Sequence, residues 1–430
     1  MRSRWYLYPI LAALSAVFCS GCDSGGGSGR AQVRLMNVSP GYTSLDLYAN
    51  TEDDDTDQQR VAGVAYDTVS SYAQLESGTY NIKFKRSGVT STLQTASGKQ
   101  LADDTHHTFV AFGSTGHFSS LQLSDDLAAP DSGRAKVQAV NVAEAGSLDV
   151  YLTESEVSLD DATPVVAAVG PGTVSSDTTI DSGDYRLRVT GAGDSDDLRL
   201  DLPNITLDSR QVASVILTAT QGGVLVDAVA LPQQGSPTKF ANTKARIRGA
   251  AGTTSGPVVM RVGNVGVLNG AVGVVGNYAQ VEAGTVAVTL TVNGVAVAVP
   301  DQTLVAGGEY TMLAWSDADG TRTTLIGDDN RLPTASGKAK IRVLNGLSAL
   351  NAPVTLSVNF APIAEGIALR QASAYTEIDD GSDYQLDVTN TDTAANLLTK
   401  TSVTLDAGSV YTLFMSANGA TVSGTLRKDR

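Results

Sequence analysis

The sequence is poor in the residues that most often carry out catalysis or bind metals. Its 430 residues include only 3 histidines, 2 cysteines and 2 tryptophans. Both cysteines, Cys19 and Cys22, lie near the start of the chain, so residues 23–430 contain neither a disulfide nor a thiol nucleophile. No histidine follows His117, which excludes Ser–His and Cys–His mechanisms from the chain beyond it.

Positive charge is also scarce. The chain has 30 Lys and Arg against 45 Asp and Glu, a formal net charge of -15. Nucleic acid is therefore not expected as a partner, because binding to phosphates requires clustered Lys and Arg. The length allows three or four domains, and 42% hydrophobic residues are enough to build their cores, which excludes wholesale disorder.

The first 22 residues resemble the signal of a bacterial lipoprotein. Two arginines precede an apolar run, 5–18, that is shorter than the roughly 20 residues of a transmembrane helix but fits the core of a secretory signal. Small residues before a cysteine, in Cys19-Ser-Gly-Cys22, resemble a lipobox, although Cys19 stands where leucine is usual. The resemblance implies a lipidated Cys22 after cleavage. An ordinary signal peptide that is cut near Gly21 is the alternative.

Residues 23–30, Asp-Ser-Gly-Gly-Gly-Ser-Gly-Arg, predict a flexible tether between the lipid anchor and the rest of the chain. In enterobacterial lipoproteins an aspartate directly after the lipidated cysteine favours retention in the inner membrane. Asp23 has that position, but the rule does not hold in all bacteria. We therefore expect a bacterial cell-envelope protein on the periplasmic or cell-surface side, with the choice of membrane left open.

The remaining chain carries four motifs in the same order, four times, at a spacing of about 100 residues. The first alternates apolar and polar residues, which is typical of a half-buried strand. Its copies are Ala31–Asn37, Ala135–Asn141, Ala245–Ala251 and Ala339–Asn345. The last is a late apolar strand, with copies at Thr108–Phe112, Ser214–Thr218, Thr311–Trp315 and Thr412–Ser416.

Two further motifs lie between these strands. One is Leu-Asp-x-Tyr, found at Leu45–Tyr48 and Leu148–Tyr151, with looser copies at Val258–Val262 and Val354–Val358. The other is of the Ser-Gly-x-Tyr type, found at Ser77–Lys83, Ser182–Arg188, Ala283–Thr289 and Gly381–Asp387. Strands of four to eight residues alternate with turn residues throughout, and no sustained helical periodicity is present, so the pattern predicts an all-β fold.

Segments rich in Pro, Gly and Ser separate the copies. They define repeat 1 (31–131), repeat 2 (135–232), repeat 3 (243–331) and repeat 4 (338–430). About 100 residues with about seven strands predict one antiparallel β-sandwich domain per repeat, immunoglobulin-like or transthyretin-like. The joints are short, so we expect neighbouring repeats to touch and to form a semi-rigid rod about 120–160 Å long.

Three of these motifs together resemble the DUF4397 family. They are the opening Val-Arg-x-x-Asn strand, Leu-Asp-x-Tyr and Ser-Gly-x-Tyr, and repeats 3 and 4 lack the second of them. The resemblance would cover residues 31–430. It implies a β-sandwich domain of unknown function that is found, often in tandem, in bacterial envelope and surface proteins. It implies no catalytic residue and no cofactor.

The three histidines are the best candidates for a metal site. His106, His107 and His117 all lie in repeat 1, and such a cluster could bind zinc or copper. The alignment of the repeats opposes this interpretation, because His107 takes the place of Tyr310 and Tyr411. The alignment therefore favours a strand residue with a polar tip.

A second candidate is a calcium loop in repeat 1. Asp53, Asp55 and Asp57 alternate as calcium ligands do, but Gln58 stands where such a loop needs glycine, and no glutamate follows at the twelfth position. A solvated turn is the favoured interpretation. For sugar binding, Trp315 would be the only tryptophan after the signal, which makes a poor aromatic platform, although 14 tyrosines leave this alternative open.

These observations predict a non-enzymatic, lipid-anchored cell-envelope protein that acts as a structural or protein-binding module. Its expected partners are the membrane, through the anchor, and envelope proteins or glycans, with exposed edge strands as one possible contact. No cofactor is expected. The first alternative is a carbohydrate-binding or adhesive surface protein, and the second is a metal-dependent hydrolase at the histidines.

Overall fold

The computed structural model describes residues 29–51, 53–54, 56–348 and 352–430. The predicted signal, Cys22, most of the tether and Asp55 lie outside the described residues. Every regular element in the described ranges is a β-strand, which confirms the predicted all-β class. No helix there is long and apolar enough to cross a membrane. The domain boundaries and the immunoglobulin-like or transthyretin-like subtype remain predictions.

Repeat 1 forms two facing sheets. We call the sheet with the opening strand the inner sheet and the other the outer sheet. The strands are β1 Arg30–Asn37, β2 Ser44–Thr51, β3 Gln59–Ala65, β4 Thr68–Val69, β5 Ala73–Glu76, β6 Gly78–Arg86, β7 Thr92–Leu101, β8 His106–Phe112 and β9 Ser119–Ser124. The inner sheet has the order β4-β1-β8-β9, with β5 also on β1, and the outer sheet has the order β3-β2-β6-β7.

Repeat 2 has the same two sheets. Its strands are β10 Arg134–Val142, β11 Leu148–Thr153, β12 Val166–Val169, β13 Thr173–Val174, β14 Thr178–Asp181, β15 Gly183–Gly191, β16 Asp194–Leu207, β17 Val212–Ala219 and β18 Val226–Pro232. The inner sheet has the order β13-β10-β17-β18, with β14 also on β10, and the outer sheet has the order β12-β11-β15-β16. The segment after repeat 2 adds a further inner-sheet strand, β19 Thr238–Phe240.

Repeats 3 and 4 keep this plan. The strands of repeat 3 are β20 Lys244–Ala251, β21 Val258–Val262, β22 Val265–Gly270, β23 Ala279–Glu282, β24 Gly284–Val286, β25 Val288–Val292, β26 Val295–Val297, β27 Gln302–Leu304, β28 Glu309–Asp317 and β29 Gly320–Asp328. Its sheets are β23-β20-β28-β29 (inner) and β22-β21-β25-β26 (outer), with a small β24-β27 pair.

The strands of repeat 4 are β30 Lys338–Asn345, β31 Val354–Val358, β32 Ala361–Ile367, β33 Thr376–Asp379, β34 Gly381–Asn390, β35 Asn396–Leu405, β36 Val410–Asn418 and β37 Thr421–Lys428. They form the sheets β33-β30-β36-β37 (inner) and β32-β31-β34-β35 (outer). In all four inner sheets the opening strand pairs in parallel with the late apolar strand, whereas the other pairs are antiparallel.

Each repeat encloses its own hydrophobic core between its two sheets. In β1, successive side chains point to opposite faces, so Ala31, Val33 and Leu35 enter the core of repeat 1. The alternate residues Arg34 and Met36 are also buried, at 3% and 0% exposed. The expectation of a half-buried opening strand is therefore wrong, because the second face of β1 packs on another repeat.

The second faces of the opening strands pack together in pairs. Repeats 1 and 2 share an apolar cluster that includes Met36, Val110, Val140 and Ile216. Repeats 3 and 4 share another, which includes Trp315. Burying each large apolar side chain stabilises the pair by about 1.5–3 kcal/mol.

The two pairs also contact each other. Arg430 of repeat 4 donates a hydrogen bond from Nη1 to the carbonyl oxygen of Gly223 in repeat 2, over 2.7 Å. The amide of Val224 donates to Glu309 of repeat 3, over 3.1 Å. In an end-to-end rod the second and fourth repeats cannot touch, so the predicted rod is wrong. The repeats pack side by side because the second face of each inner sheet is apolar and buries itself against another repeat. The sequence pattern did not predict that this face has a partner.

A buried asparagine joins the two sheets in three of the repeats. Asn141 donates from Nδ2 to the carbonyl oxygens of Gly146 (2.8 Å) and Val169 (2.9 Å), and its Oδ1 accepts from the amide of Ala143 (3.2 Å). Asn37 and Asn345 make the same three bonds to their own neighbours: Asn37 with Tyr42, Val64 and Ser39, and Asn345 with Ala352, Ile367 and Leu347. The final residue of the Val-Arg-x-x-Asn motif therefore has a structural role.

Candidate functional site

Two reciprocal ion pairs join repeats 3 and 4. Arg248 of repeat 3 contacts Asp429 of repeat 4, with Nη1 2.6 Å from Oδ1. Arg342 of repeat 4 contacts Asp328 of repeat 3 in the opposite direction. All four side chains are at most 3% exposed. Each arginine belongs to an opening strand. Asp328 is the last residue of β29, and Asp429 directly follows β37.

Hydroxyl groups complete the bonding of both carboxylates. Asp328 accepts from Thr311 Oγ1 and from the hydroxyl of Tyr278, both over 2.7 Å. In the same way, Asp429 accepts from Thr412 and from Tyr375. Both carboxylates thus accept hydrogen bonds from an arginine and two hydroxyls away from water, and this arrangement fixes the relative position of the two repeats.

The burial of this cluster changes its proton affinities. Burial raises the pKa of the Tyr278 and Tyr375 hydroxyls well above the ordinary value of 10.0, and nearby carboxylates act in the same direction. Burial disfavours the charge of Arg342, but Asp328, Tyr375 and Tyr278 together more than offset it, so the pKa of Arg342 is raised. The tyrosines therefore stay neutral donors and the arginine stays charged over the whole physiological pH range.

Repeat 1 contains the same four residue types without the exchange between repeats. Arg34 donates from Nε to Thr108 over 2.7 Å and lies 3.5 Å from Asp125 of its own repeat. Asp125 also accepts from Thr108 and from Tyr72. Instead, Arg34 Nη1 donates to the carbonyl oxygen of Gly235, in the segment that follows repeat 2, over 2.6 Å.

Repeat 2 replaces the charged members by amides and a hydroxyl. Gln138 stands at the arginine position of the opening strand and donates to Ser214 over 2.7 Å. Gln233 follows the strand β18 as Asp125 follows β9. It exchanges two hydrogen bonds with the backbone of Leu127, near the end of repeat 1, over 2.9 and 3.0 Å. Among the described residues, an arginine and an aspartate are therefore exchanged between repeats only in the second pair, repeats 3 and 4.

A buried carboxylate lies where the two pairs meet. Glu309 accepts from Arg246 Nη1 (3.1 Å), from the side chain of Asn330 and from the amide of Val224. Burial raises the pKa of Glu309 above its ordinary value of 4.5, and Arg246 and Asn330 oppose this shift. Nearby, burial lowers the pKa of Arg430 to about 10.

The raised pKa of Glu309 predicts a pH dependence of stability. The folded state holds the Glu309 proton more strongly than the unfolded chain, so the contribution of this group falls as the pH rises from about 4.5 through the folded-state pKa. We expect the Glu309→Gln variant to lack this step. Thermal unfolding midpoints of both proteins, measured from pH 4 to 8, check it, with exposed Glu377→Gln as the control. Parallel curves for wild type and Glu309→Gln would contradict the expectation.

All four repeats line a central cleft of about 470 Å³. Its charged lining is mixed, with His117 from repeat 1, Glu144 from repeat 2, and Asp329, Arg331, Lys340, Arg342 and Glu377 from repeats 3 and 4. Burial lowers the pKa of Lys340, but its Nζ already donates to the carbonyl oxygens of Asp329 (3.3 Å) and Arg331 (2.9 Å). Lys340 therefore links repeat 4 to the end of repeat 3.

The structure does not bring the three histidines together. His106 and His107 are neighbours on β8, so their side chains point to opposite faces, and His117 follows the other end of that strand. His106 contacts Asp126, with Nδ1 2.9 Å from Oδ1, whereas His107 contacts Thr105 and Gln122. Burial lowers the pKa of His107.

The acidic turn of repeat 1 has cationic partners within the protein. Asp57 contacts both Lys83 and Lys85, each over 2.6 Å, and these hydrogen bonds lower the pKa of Asp57. Asp53 and Asp57 lie on either side of Asp55, which is outside the described residues. Across the described ranges, no group of three or more His, Cys, Asp or Glu side chains is placed to hold a metal ion.

The aromatic side chains are mostly enclosed. Trp315 is 4% exposed in the apolar cluster between repeats 3 and 4, and its Nε1 donates to Thr324 over 2.9 Å. None of the tyrosines in the described residues is fully exposed. An exposed aromatic platform for sugars is therefore absent from the described part of the chain, apart from Phe360 at a hairpin tip, which is 77% exposed.

Sequence reasoning missed the Arg–Tyr–Thr–Asp cluster, although part of its signal was visible. A charged residue recurs in the middle of an apolar opening strand, as Arg34, Arg248 and Arg342. The partner aspartates Asp328 and Asp429 belong to none of the four repeated motifs. Nothing in the local sequence indicates that an aspartate in one repeat pairs with an arginine in another.

These features define an all-β protein of paired sandwich repeats, and the comparison with known families identifies it further. The model of the DUF4397 family, a domain of unknown function, matches residues 31–151 and 261–354, together half of the chain. The chain belongs to this family. No curated protein matches it.

Among solved structures, the similarities are low and cover parts of the chain. A leucine-rich repeat protein from Bacteroides thetaiotaomicron VPI-5482 is 12% identical, with a TM-score of 0.16 over 44% of this chain and 26% of its own. CBMbc (family CBM26) from Eubacterium rectale Amy13K, solved with maltoheptaose, is 10% identical, with a TM-score of 0.15 over 49% and 99%. The Bacillus anthracis TIE protein is 11% identical, with a TM-score of 0.15 over 66% and 50%.

Proposed function

We propose that the protein is a non-enzymatic, lipid-anchored module of the bacterial cell envelope, with a structural or protein-binding role. The observation that carries this proposal is the exchange of buried ion pairs between repeats 3 and 4, Arg248 with Asp429 and Arg342 with Asp328. Such charges hold two bodies in one orientation. A protein that presents surfaces at a fixed geometry needs this property.

The use of the buried charges supports the absence of enzymatic activity. A catalytic acid, base or nucleophile must reach a substrate. Here Asp328, Asp429 and Glu309 accept hydrogen bonds from other repeats, and Lys340 donates to backbone carbonyls. These groups serve the packing of the repeats.

Edge strands are the less favoured contact for a protein partner. In repeats 1, 2 and 4 both edge strands of the outer sheet have register shifts against their neighbours. Bulges of this kind interrupt the row of backbone groups that an added strand would need. We therefore place a partner on the outer-sheet faces.

The anchor is tested by substitution of Cys22, which lies outside the described residues. We expect Cys22→Ser to move the protein from the membrane fraction to the soluble fraction of the cell, because acyl chains supply the durable attachment. Cell fractionation, combined with mass spectrometry of the mature N-terminus, checks this expectation. The matched control is Cys19→Ser, which should remain in the membrane fraction. A Cys22→Ser protein that stays membrane-bound would contradict the proposal.

A further inference from the structure

A polar groove of about 550 Å³ opens on one side of repeat 1. It lies between the inner and outer sheets, where β2 ends and β3 begins. One wall comes from the inner sheet, through Arg30 of β1 and residues 74–76 of β5, and the other from residues 58 and 60 at β3. Buried Ala49, Leu75 and Tyr80 also line the groove and give it an apolar part.

The two walls carry matching pairs of side chains. Arg30 Nη1 donates to Gln74 Oε1 over 3.0 Å, and Arg60 Nη2 donates to Gln58 Oε1 over 2.5 Å. Because each arginine holds the oxygen of a carboxamide, the NH₂ group of each glutamine stays available to a ligand. Glu76 is the one acidic residue among the described lining residues, which together carry a net charge of +1 in a chain of -15.

A buried acceptor marks this groove as more than a surface depression. Asn50 lines it and is 3% exposed, and its Nδ2 donates to the carbonyl oxygen of Asp54 over 2.6 Å. Its Oδ1 and the Nε of Arg60 are buried without a hydrogen-bond partner among the described residues. A buried polar atom without a partner destabilises a protein by about 1–3 kcal/mol, and a bound ligand removes such a penalty.

We propose that this groove binds an acidic saccharide, such as a segment of uronic acids. Hydroxyl groups both donate and accept, which suits a lining with free amide donors and one free acceptor. The two guanidinium groups match carboxylates. The apolar part of the groove suits the C–H face of a sugar ring. An added peptide strand fits less well, because β3 has two register shifts against β2 beside the groove.

This binding adds to the proposed envelope role and does not depend on it. Titration calorimetry of the full mature chain at low salt tests it with three probes: tetragalacturonate, maltotetraose and hexaglutamate. We expect saturable binding of tetragalacturonate, at least tenfold weaker binding of maltotetraose, and weaker binding of hexaglutamate.

Variants locate the binding in the groove. Arg30→Gln combined with Arg60→Gln should weaken tetragalacturonate binding at least tenfold. Gln74→Glu should do the same, and it is expected to fold because the new carboxylate can pair with Arg30. The control is Arg86→Gln combined with Arg210→Gln, which removes the same charge from two exposed sites outside the groove and should change affinity less than twofold.

Several results would overturn the inference. One is that the wild type shows no saturable binding of tetragalacturonate, and another is that all folded variants bind it as tightly as the wild type does. The others are that maltotetraose binds as tightly as tetragalacturonate, or that hexaglutamate binds more tightly. A failed titration would leave the fractionation result for Cys22→Ser unchanged, so the two proposals fail separately.

Discussion

Replacing Arg342 with methionine is expected to lower the free energy of unfolding of repeats 3 and 4 by about 3–5 kcal/mol. The guanidinium of Arg342 is the cation that contacts Asp328 and also donates to Thr412 over 3.0 Å. Methionine fills much of the same space but leaves the Asp328 carboxylate buried with two hydroxyl donors and no charge partner. Removing one partner of a buried ion pair destabilises a protein more than replacing both partners with apolar residues, because the remaining charge stays buried without a counter-charge.

Trp315 provides the measurement. It is the only tryptophan after the signal and lies in the apolar cluster between repeats 3 and 4, so its fluorescence reports on this interface. The matched control is Arg261→Met, in the outer sheet of repeat 3. Arg261 is exposed and donates to the carbonyl oxygen of Asn264, so its removal should change stability by less than about 1 kcal/mol.

A second variant separates the ion pair from simple packing. Combining Arg342→Met with Asp328→Leu removes both charges, so the double variant should be more stable than the sum of the single losses predicts. A loss for Arg342→Met as small as that for Arg261→Met would show that the exchanged ion pairs do not hold the repeats. That result would remove the support for a fixed scaffold.

The Asn141→Ala variant is expected to lose about 2–4 kcal/mol of stability in repeat 2. The substitution removes three hydrogen bonds and leaves the carbonyls of Gly146 and Val169 and the amide of Ala143 without this partner. Each buried group without a partner destabilises by about 1–3 kcal/mol. Repeat 3 has Ala251 at the same position, so the fold itself tolerates alanine there.

Hydrogen exchange measured by mass spectrometry locates this effect. Peptides that span residues 141–147 and 166–170 should exchange faster in Asn141→Ala, whereas peptides around Asn345 should keep the wild-type rate. Asn264→Ala, at an exposed turn between β21 and β22, is the control and should change stability by about 0.5 kcal/mol at most. Unchanged exchange in both segments would mean that Asn141 does not join the two sheets.

Local sequence patterns predicted some features well. Alternation in Ala31–Asn37 and its copies indicated strands, and the order of the motifs indicated a repeated unit of a family whose model matches half of the chain. These features are visible in sequence because side-chain direction in a strand has a period of two and because copies of one unit keep the same order of motifs.

Other features depended on contacts between distant residues. The groove in repeat 1 combines Arg30, Asn50, Arg60 and Gln74 from four strands, and none of them belongs to a recognisable motif. The three histidines, in contrast, are close in sequence but separated by the geometry of one strand. Residues that are distant along the chain thus meet in the groove, whereas residues that are close along the chain do not form a site.

By itself, the sequence determined the all-β class, the family and the order of the repeated strands, because these follow from short-range periodicity. Only the tertiary structure decided that the repeats pack side by side in pairs and that Arg34, Arg248 and Arg342 are buried rather than solvated. The physical reason is that a strand has the same alternating sequence pattern whether its second face contacts water or another sheet. Only the partner across that face determines whether its arginine is exposed or paired.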